Sequence, residues 1–367
     1  MRIAIDGREL AGQPTGVGRF LSEILREWSS MAEAAAHAFI LCAPAAPRIR
    51  GLSEDSLIRF DIQIAAGQGT NWEQRVLPRL AARSDADVLF CPAYSGPVSG
   101  RTPLVVAIHD VSFAAHPEWF RWREGLRRRT ITRRAAARAR RIITISEFSR
   151  REIVEHLGVP ASKIDVIYPG VTPHVRAAAD SPLAPRVSAA GDPLLLYVGS
   201  IFNRRHVPET IRGFARMARR RPGVRFAIVG DNRTFPSIDV ERLVATIDGA
   251  ESVSLTSYVD DGHLADLYRR ARAFIFLSEY EGFGLTPVEA LAAGIPIVVL
   301  DTAVAREVYQ DAAIYVARPD PHLIDPALEQ ALFDEEVRSR ILSRAPGVLA
   351  RYSWRECARR VLDALTA

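Results

Sequence analysis

The stretch SEYEGFGLTPVEALAAG, residues 278–294, decides how this chain is read. It follows a short apolar run at 273–277, the kind of segment that forms a strand buried on both faces of a parallel sheet. A Gly282-Phe283-Gly284 turn comes next, and Leu285 leads into a helix. Thr286 is the expected cap of that helix, Pro287 suits its first turn, and Glu289 takes the capping-box position. A strand, a glycine turn and a helix N-terminus together make an anion site. The first backbone N–H groups have no helical partner, the dipole adds positive potential, and glycine lets a phosphate come close. Glu281 and Glu289 flank the turn with seven residues between them. A carboxylate repels phosphate unless it faces hydroxyl groups, which donate to it. The segment therefore implies a ligand carrying both phosphate and sugar hydroxyls, as a nucleotide sugar does.

Outward from this segment, strand–helix alternation extends over the chain. Strands are expected at 3–5, 39–42, 88–91, 104–108 and 142–145, and again at 194–198, 226–229, 253–255, 273–277, 296–300 and 314–316. Residues 177–193 are rich in Ala, Pro, Ser and Asp without periodicity and read as a linker. The expected organisation is an N-terminal, acceptor-side Rossmann-like domain at 1–176, the linker at 177–193, a C-terminal nucleotide-sugar domain at 194–352, and a last helix at 353–367. Two doubly wound α/β domains facing a central cleft follow from that pattern.

Three further places carry chemistry. Gly16 and Gly18 stand in a loop ahead of a helix expected at 20–28, a second candidate anion loop that two glycines alone support weakly. The third glycine of a dinucleotide fingerprint is missing. His109 ends the run at 104–108, where open α/β sheets bind ligands, and reads equally as a sugar contact or a structural group. His116 reads as local structure. After the strand at 194–198, Gly199-Ser200 closes the turn, and Arg204 and Arg205 offer fixed charge and paired donors suited to a pyrophosphate. Arginines at a helix start work against the dipole, so a purely structural role explains them poorly.

Glu281 and Glu289 within EGFGLTPVEALAAG resemble the signature of the family-4 retaining glycosyltransferases of the GT-B fold. HDVSFAAHPEWF at 109–120, SEFSRREI from Ser146 and IDVIYPGV at 164–171 resemble further segments of that family, so the similarity covers most of the chain. It implies that Gly16 and Gly18 close over the donor diphosphate, that His109 contacts the donor sugar and Glu281 its hydroxyls, and that Glu289 holds the ribose. It also implies that Ser200, Arg204 and Arg205 meet the diphosphate with Gly282, Phe283, Gly284 and Leu285, and that Tyr258 lies beside the base. The last helix, entered by Tyr352-Ser353-Trp354, would cross back to the N-terminal domain. The family usually has Arg then Lys where this chain has Arg204 and Arg205, which makes Arg205 the less secure of the pair. GDP-mannose is the first expectation for the donor, with UDP-linked sugars as the other, because these motif versions resemble bacterial polysaccharide mannosyltransferases.

Composition bounds the remaining choices. At 367 residues the chain exceeds one ordinary core. Cys42, Cys91 and Cys357 lack metal-ligand spacing and read as buried, reduced thiols of a cytoplasmic protein. The start, MRIAIDGREL, is too polar for a signal peptide, and no apolar run approaches the ~18 residues of a membrane span. Net charge is +5, and Lys163 is the only lysine, so a P-loop is excluded and Schiff-base chemistry would rest on that one residue. The stretch 121–141, from Arg121 to Arg141, carries ten arginines with Trp122. It reads either as a solvated helix face or as a surface for anionic lipid at the inner face of the membrane or for acceptor phosphates. No nucleic-acid motif accompanies it.

The reading is a metal-independent, retaining hexosyltransferase that uses no cofactor and serves bacterial surface polysaccharide synthesis. Its substrates are a nucleotide-sugar donor and a hydroxyl of a glycan or lipid-linked acceptor. Two alternatives stand beside it: a nucleotide-sugar epimerase of the same fold, and a catalytically silent subunit that binds nucleotide sugar or a lipid surface.

Overall fold

The computed structural model describes residues 1–12, 16–49, 52, 57–171 and 192–367. The chain divides into two units, one of Met1–Gly170 with Tyr352–Ala367, the other of Val171–Arg351. The linker expected at 177–193 lies outside the described residues but for its last two positions.

The first unit is built on seven strands: β1 (Arg2–Asp6), β2 (Ala38–Ala43), β3 (Phe60–Ile64), β4 (Val88–Cys91), β5 (Leu104–Ala107), β6 (Arg141–Thr144) and β7 (Ile164–Val166). They lie all parallel in the order β3-β2-β1-β4-β5-β6-β7. The chain starts in the middle, runs to one edge, and returns to lay β4 beside β1, which makes the carboxyl ends of β1 and β4 the switch point where such sheets bind ligands. The central strands are apolar and buried throughout, as in β4, because helices cover both faces. Strand β3 is absent from the expectation. Its sequence, FDIQI, alternates and is half exposed, which suits an edge strand and weakens the apolar signal.

Helix α1 (Gly16–Ser30) buries Val17, Phe20, Leu21, Ile24, Leu25 and Trp28 at helical spacing. It begins four residues before the expected helix, so Gly16 and Gly18 belong to its first turn rather than to a preceding loop. The C-terminal helix, Trp354–Thr366, belongs to this unit and packs on α1, with Trp28 Nε1 donating to the Ala358 carbonyl at 2.9 Å. Gly170 is needed there: a Cβ would fall 2.1 Å from the Trp354 nitrogen. A π-helical turn at Trp72–Val76 runs into α2 (Leu77–Arg83).

The basic stretch forms α3 (Trp122–Arg138), whose last carbonyls, those of Ala136 and Ala137, accept from Lys163 Nζ at 2.9 and 2.7 Å. Helix α4 (Glu147–Leu157) is capped by Ser146, whose side chain accepts from Ser149 N, and it ends on left-handed Gly158. Among the described residues one His/carboxylate group is close enough to share an ion, Glu152, Glu155 and His156 on this helix.

The second unit has β8 (Leu194–Val198), β9 (Arg225–Val229), β10 (Val253–Thr256), β11 (Ala273–Phe276), β12 (Ile297–Leu300) and β13 (Ile314–Val316). Their order is β10-β9-β8-β11-β12-β13, again all parallel, with the switch point between β8 and β11. Seven helices accompany them among the described residues: α5 (Val207–Ala218), α6 (Val240–Ala245), α7 (Asp261–Arg270), α8 (Leu285–Ala292), α9 (Ala303–Tyr309), α10 (Pro321–Phe333) and α11 (Glu335–Leu349).

Cys42, Cys91 and Cys357 are buried free thiols. Burial pushes Cys42 up to about 12 and holds the other two above their ordinary value, so none is a thiolate near neutrality. No helix among the described residues is long and apolar enough to cross a membrane.

Candidate active site

In the second unit the site grows from the two neighbouring strands β8 and β11. Beyond β8 the chain passes Gly199 and Ser200 and forms a single tight turn at Asn203–Arg205 before α5. Beyond β11 it passes Ser278 and Glu281 into the glycine turn. Gly284, at φ 87° and ψ 66°, is the residue that caps α8, and no side chain caps this helix. A Cβ there would meet the Tyr309 hydroxyl at 2.0 Å, and that hydroxyl donates to the Gly284 carbonyl at 3.1 Å. This corrects the expected capping box: the left-handed glycine starts the helix at Leu285, so Thr286 is its second residue and Glu289 its fifth. Glu289 is turned to the buried side, 2% exposed, where Tyr268 OH donates to its Oε2 at 3.4 Å.

The two loops meet through their charged groups. Arg205 Nε donates to Glu281 Oε1 at 2.8 Å, and Ser278 Oγ donates to the same oxygen at 2.9 Å. Arg205 Nη1 donates to the Ser200 carbonyl at 2.9 Å, which also accepts from Tyr197 OH at 3.0 Å. The Arg205 guanidinium lies 4.8 Å from the Phe276 ring and 5.3 Å from the Phe202 ring, and Arg204 sits 4.2 Å from Phe202. Burial disfavours the Arg205 cation, but the charge and hydrogen-bond interactions around it, those of Glu281 foremost, together outweigh burial and hold the group charged, above its ordinary value. Burial pushes the Tyr197 phenol up to about 12. Both bonds to Glu281 land on Oε1, which leaves Oε2 to accept from a ligand.

The remaining residues of this half are placed as follows. Gly282 and Phe283 are buried, Leu285 is half-buried, and Tyr258 lies exposed in the loop after β10, two residues before Asp260, which caps α7 by accepting from His263 N at 2.8 Å. Tyr309, on α9, was not singled out from sequence, because nothing local marks a tyrosine as a partner for a turn 25 residues away.

In the first unit, His109 follows β5 and is 6% exposed. Its Nε2 stands 2.8 Å from the Pro92 carbonyl, and since a carbonyl only accepts, Nε2 carries the proton. Burial holds the imidazole pKa below its ordinary value, against the opposing effects of that hydrogen bond and of Asp110. His109 is therefore neutral near pH 7, with Nδ1 an acceptor rather than an acid. Phe20 meets its ring edge-on at 4.8 Å, and Tyr94 at 5.5 Å. Tyr94 has left-handed backbone, φ 63°, and its hydroxyl donates to Asp110 Oδ2 at 3.1 Å. At the β1/β4 switch point, Arg8 donates to Asp6 through Nε and Nη2 at 2.7–3.0 Å and to Glu73 Oε1 at 2.9 Å. Asp6 and Glu73 are fully buried, so this pairing fixes the loops around them. Nothing local in the sequence marks Tyr94 or Glu73: one partnership joins the segments that follow β4 and β5, the other joins the turn after β1 to the helical turn at Trp72–Val76.

Two parallel doubly wound sheets, each with charged groups at its switch point, define a GT-B type glycosyltransferase fold. Family models described as "Glycosyltransferase Family 4" and "Glycosyl transferases group 1" match residues 14–175 and 184–347. The chain belongs to the family-4 glycosyltransferases. It is 26% identical over 271 residues to the O-antigen chain mannosyltransferase B of Escherichia coli, covering 71% of this chain and 69% of that one. It is 29% identical over 244 residues to the D-inositol 3-phosphate glycosyltransferase of Nocardia farcinica, covering 63% and 53%. The chain thus spans from about half to about two thirds of these relatives. In fold it is similar to WaaG, a glycosyltransferase involved in lipopolysaccharide biosynthesis, with a TM-score of 0.77, 16% identity and full coverage of both chains. It is also similar to Anabaena Alr3699/HepE in complex with UDP-glucose, at 0.79 and 17%, covering 100% of this chain and 99% of that one.

Proposed function

We propose that this chain transfers a hexose, mannose first, from a nucleoside-diphosphate sugar to a hydroxyl of a glycan or lipid-linked acceptor, with retention and without a metal. The observation that carries the reading is the Arg205–Glu281–Ser278 cluster, set beside the N-terminus of α8 at the β8/β11 switch point. Charge builds on the departing diphosphate as the glycosidic bond breaks. Helix amides and Arg204 stabilise that charge more in the transition state than in the ground state, which is the work a divalent cation does elsewhere. Glu281, held through Oε1, accepts from hydroxyls of an oxocarbenium-like sugar through Oε2. Glu289 holds the ribose, and Tyr258 flanks the base. Arg205 acts chiefly by fixing Glu281.

The relative named a mannosyltransferase supports mannose, and the UDP-glucose complex of a fold neighbour keeps a UDP-linked donor in the test. We assign the chain to the cytoplasmic face of the membrane, where α3 meets anionic lipid. Trp122, 71% exposed, and Leu126, 47% exposed, lie one turn apart among the arginines, the pattern of an interfacial helix.

Thermal-shift screening of nucleotide sugars, followed by turnover with the stabilising donor and NMR of the product anomer, tests the function. Stabilisation by GDP-mannose and an anomer matching the donor's are expected. An inverted anomer overturns retention, and epimerised donor without acceptor overturns transfer.

A further inference from the structure

His206 follows the two arginines and turns the chain into α5. Its backbone is left-handed, φ 48° and ψ 38°, a conformation uncommon for a residue other than glycine. The turn is fixed, since the His206 carbonyl accepts from Thr210 N and Thr210 Oγ1, both at 2.9 Å. The ring stands between carboxylates from two elements. Nδ1 is 3.8 Å from Glu209 Oε2 in the first turn of α5, and Nε2 is 3.4 Å from Glu279 Oε2 in the loop after β11. The other charged groups around it are Arg204 and Arg205 of its own turn, Glu281, which is bonded to Arg205, and Arg212, which pairs with Glu209 at 3.4 Å. Nε2 is buried and at ion-pair distance from Glu279 without hydrogen-bond geometry. Glu279 touches the arginine turn a second time, its N–H donating to the Arg204 carbonyl at 3.0 Å.

An imidazole with a carboxylate at each nitrogen forms two charge pairs when protonated. We propose that His206 is a positioning residue for donor binding: its ring pairs with Glu279 and Glu209 and holds the Arg204-Arg205 turn against the Glu279–Glu281 loop. This rests on the function proposed above.

The test compares wild type, His206→Asn, Glu279→Gln and the double variant. Asparagine tolerates the left-handed backbone and removes the ring, so the fold is retained. Donor KM is expected to rise ~3–10-fold in either single variant, the range of a partly exposed charge-assisted contact. The acceptor KM stays unchanged, and the double variant adds no further loss. Unchanged donor KM in His206→Asn, or losses that add in the double variant, overturn the inference. Calorimetry with GDP and UDP separates the two levels. Wild type that binds neither overturns the proposed function and this inference together, whereas binding unaffected by His206→Asn overturns this inference alone.

Discussion

Arg205 Nε donates to Glu281 Oε1 across 2.8 Å, joining the loops that follow two adjacent strands, β8 and β11. The pair sets the orientation of a carboxylate that the proposed reaction needs and confines a guanidinium between the rings of Phe276 and Phe202. Arg205→Ala is expected to lower kcat/KM by ~10–150-fold, the kinetic equivalent of one charge-assisted hydrogen bond. Arg205→Lys, which keeps the charge but not the fork, should lose less. Steady-state kinetics of both variants check this, and an alanine variant with wild-type kcat/KM rejects the role.

Arg204 has a separate expected effect. If it meets charge that appears only as the leaving group departs, Arg204→Ala lowers turnover at saturating donor by more than ~10-fold. A change confined to donor KM would mean ground-state binding instead. In the same assay, chelation by EDTA should leave the rate intact, and a strict need for added metal would reject the helix-and-arginine account.

Helix α3 is testable on vesicles. Removing charge at Arg127, Arg128, Arg133 and Arg134 is expected to weaken association with anionic liposomes, as is Trp122→Ala. The wild-type interaction should fall with added salt. Co-sedimentation at two ionic strengths measures both, and equal binding by all forms would leave the helix as solvated surface.

His109 gives a pH dependence of stability. Burial holds its folded-state imidazole below the ordinary 6.5, while the unfolded chain titrates near that value. Unfolding therefore takes up a proton on the acid side, so this contribution is complete above about pH 6.5 and is lost as pH falls through the lowered value. Urea midpoints measured from pH 5 to 7.5 should drop less on acidification in His109→Gln than in wild type. Parallel curves would reject the account.

What sequence could show depended on how far apart the partners lie. The strand, glycine turn and helix around Gly284 were legible because an apolar run and two glycines are local signals. The cap was misplaced because a left-handed glycine and a threonine two residues later both make plausible starts, and only the backbone decides. In α4 the cap is Ser146, while Ser149, three residues on, donates through Oγ to the His109 carbonyl, a partner that only the fold brings near. Strand β3 was missed because an edge strand is not obliged to be apolar on both faces. The pairing of Arg205 with Glu281, and of Arg8 with Asp6 and Glu73, belongs to topology. Sequence supplied the charges, and the sheet order decided which of them meet.

Lys163, the only lysine, has its ammonium engaged with the final carbonyls of α3. Amine-directed reagents consequently find a single side-chain target, at the foot of the arginine-rich helix. An environment-sensitive fluorophore attached there would sit beside the surface assigned to lipid, and its emission would register vesicle docking without any engineered cysteine.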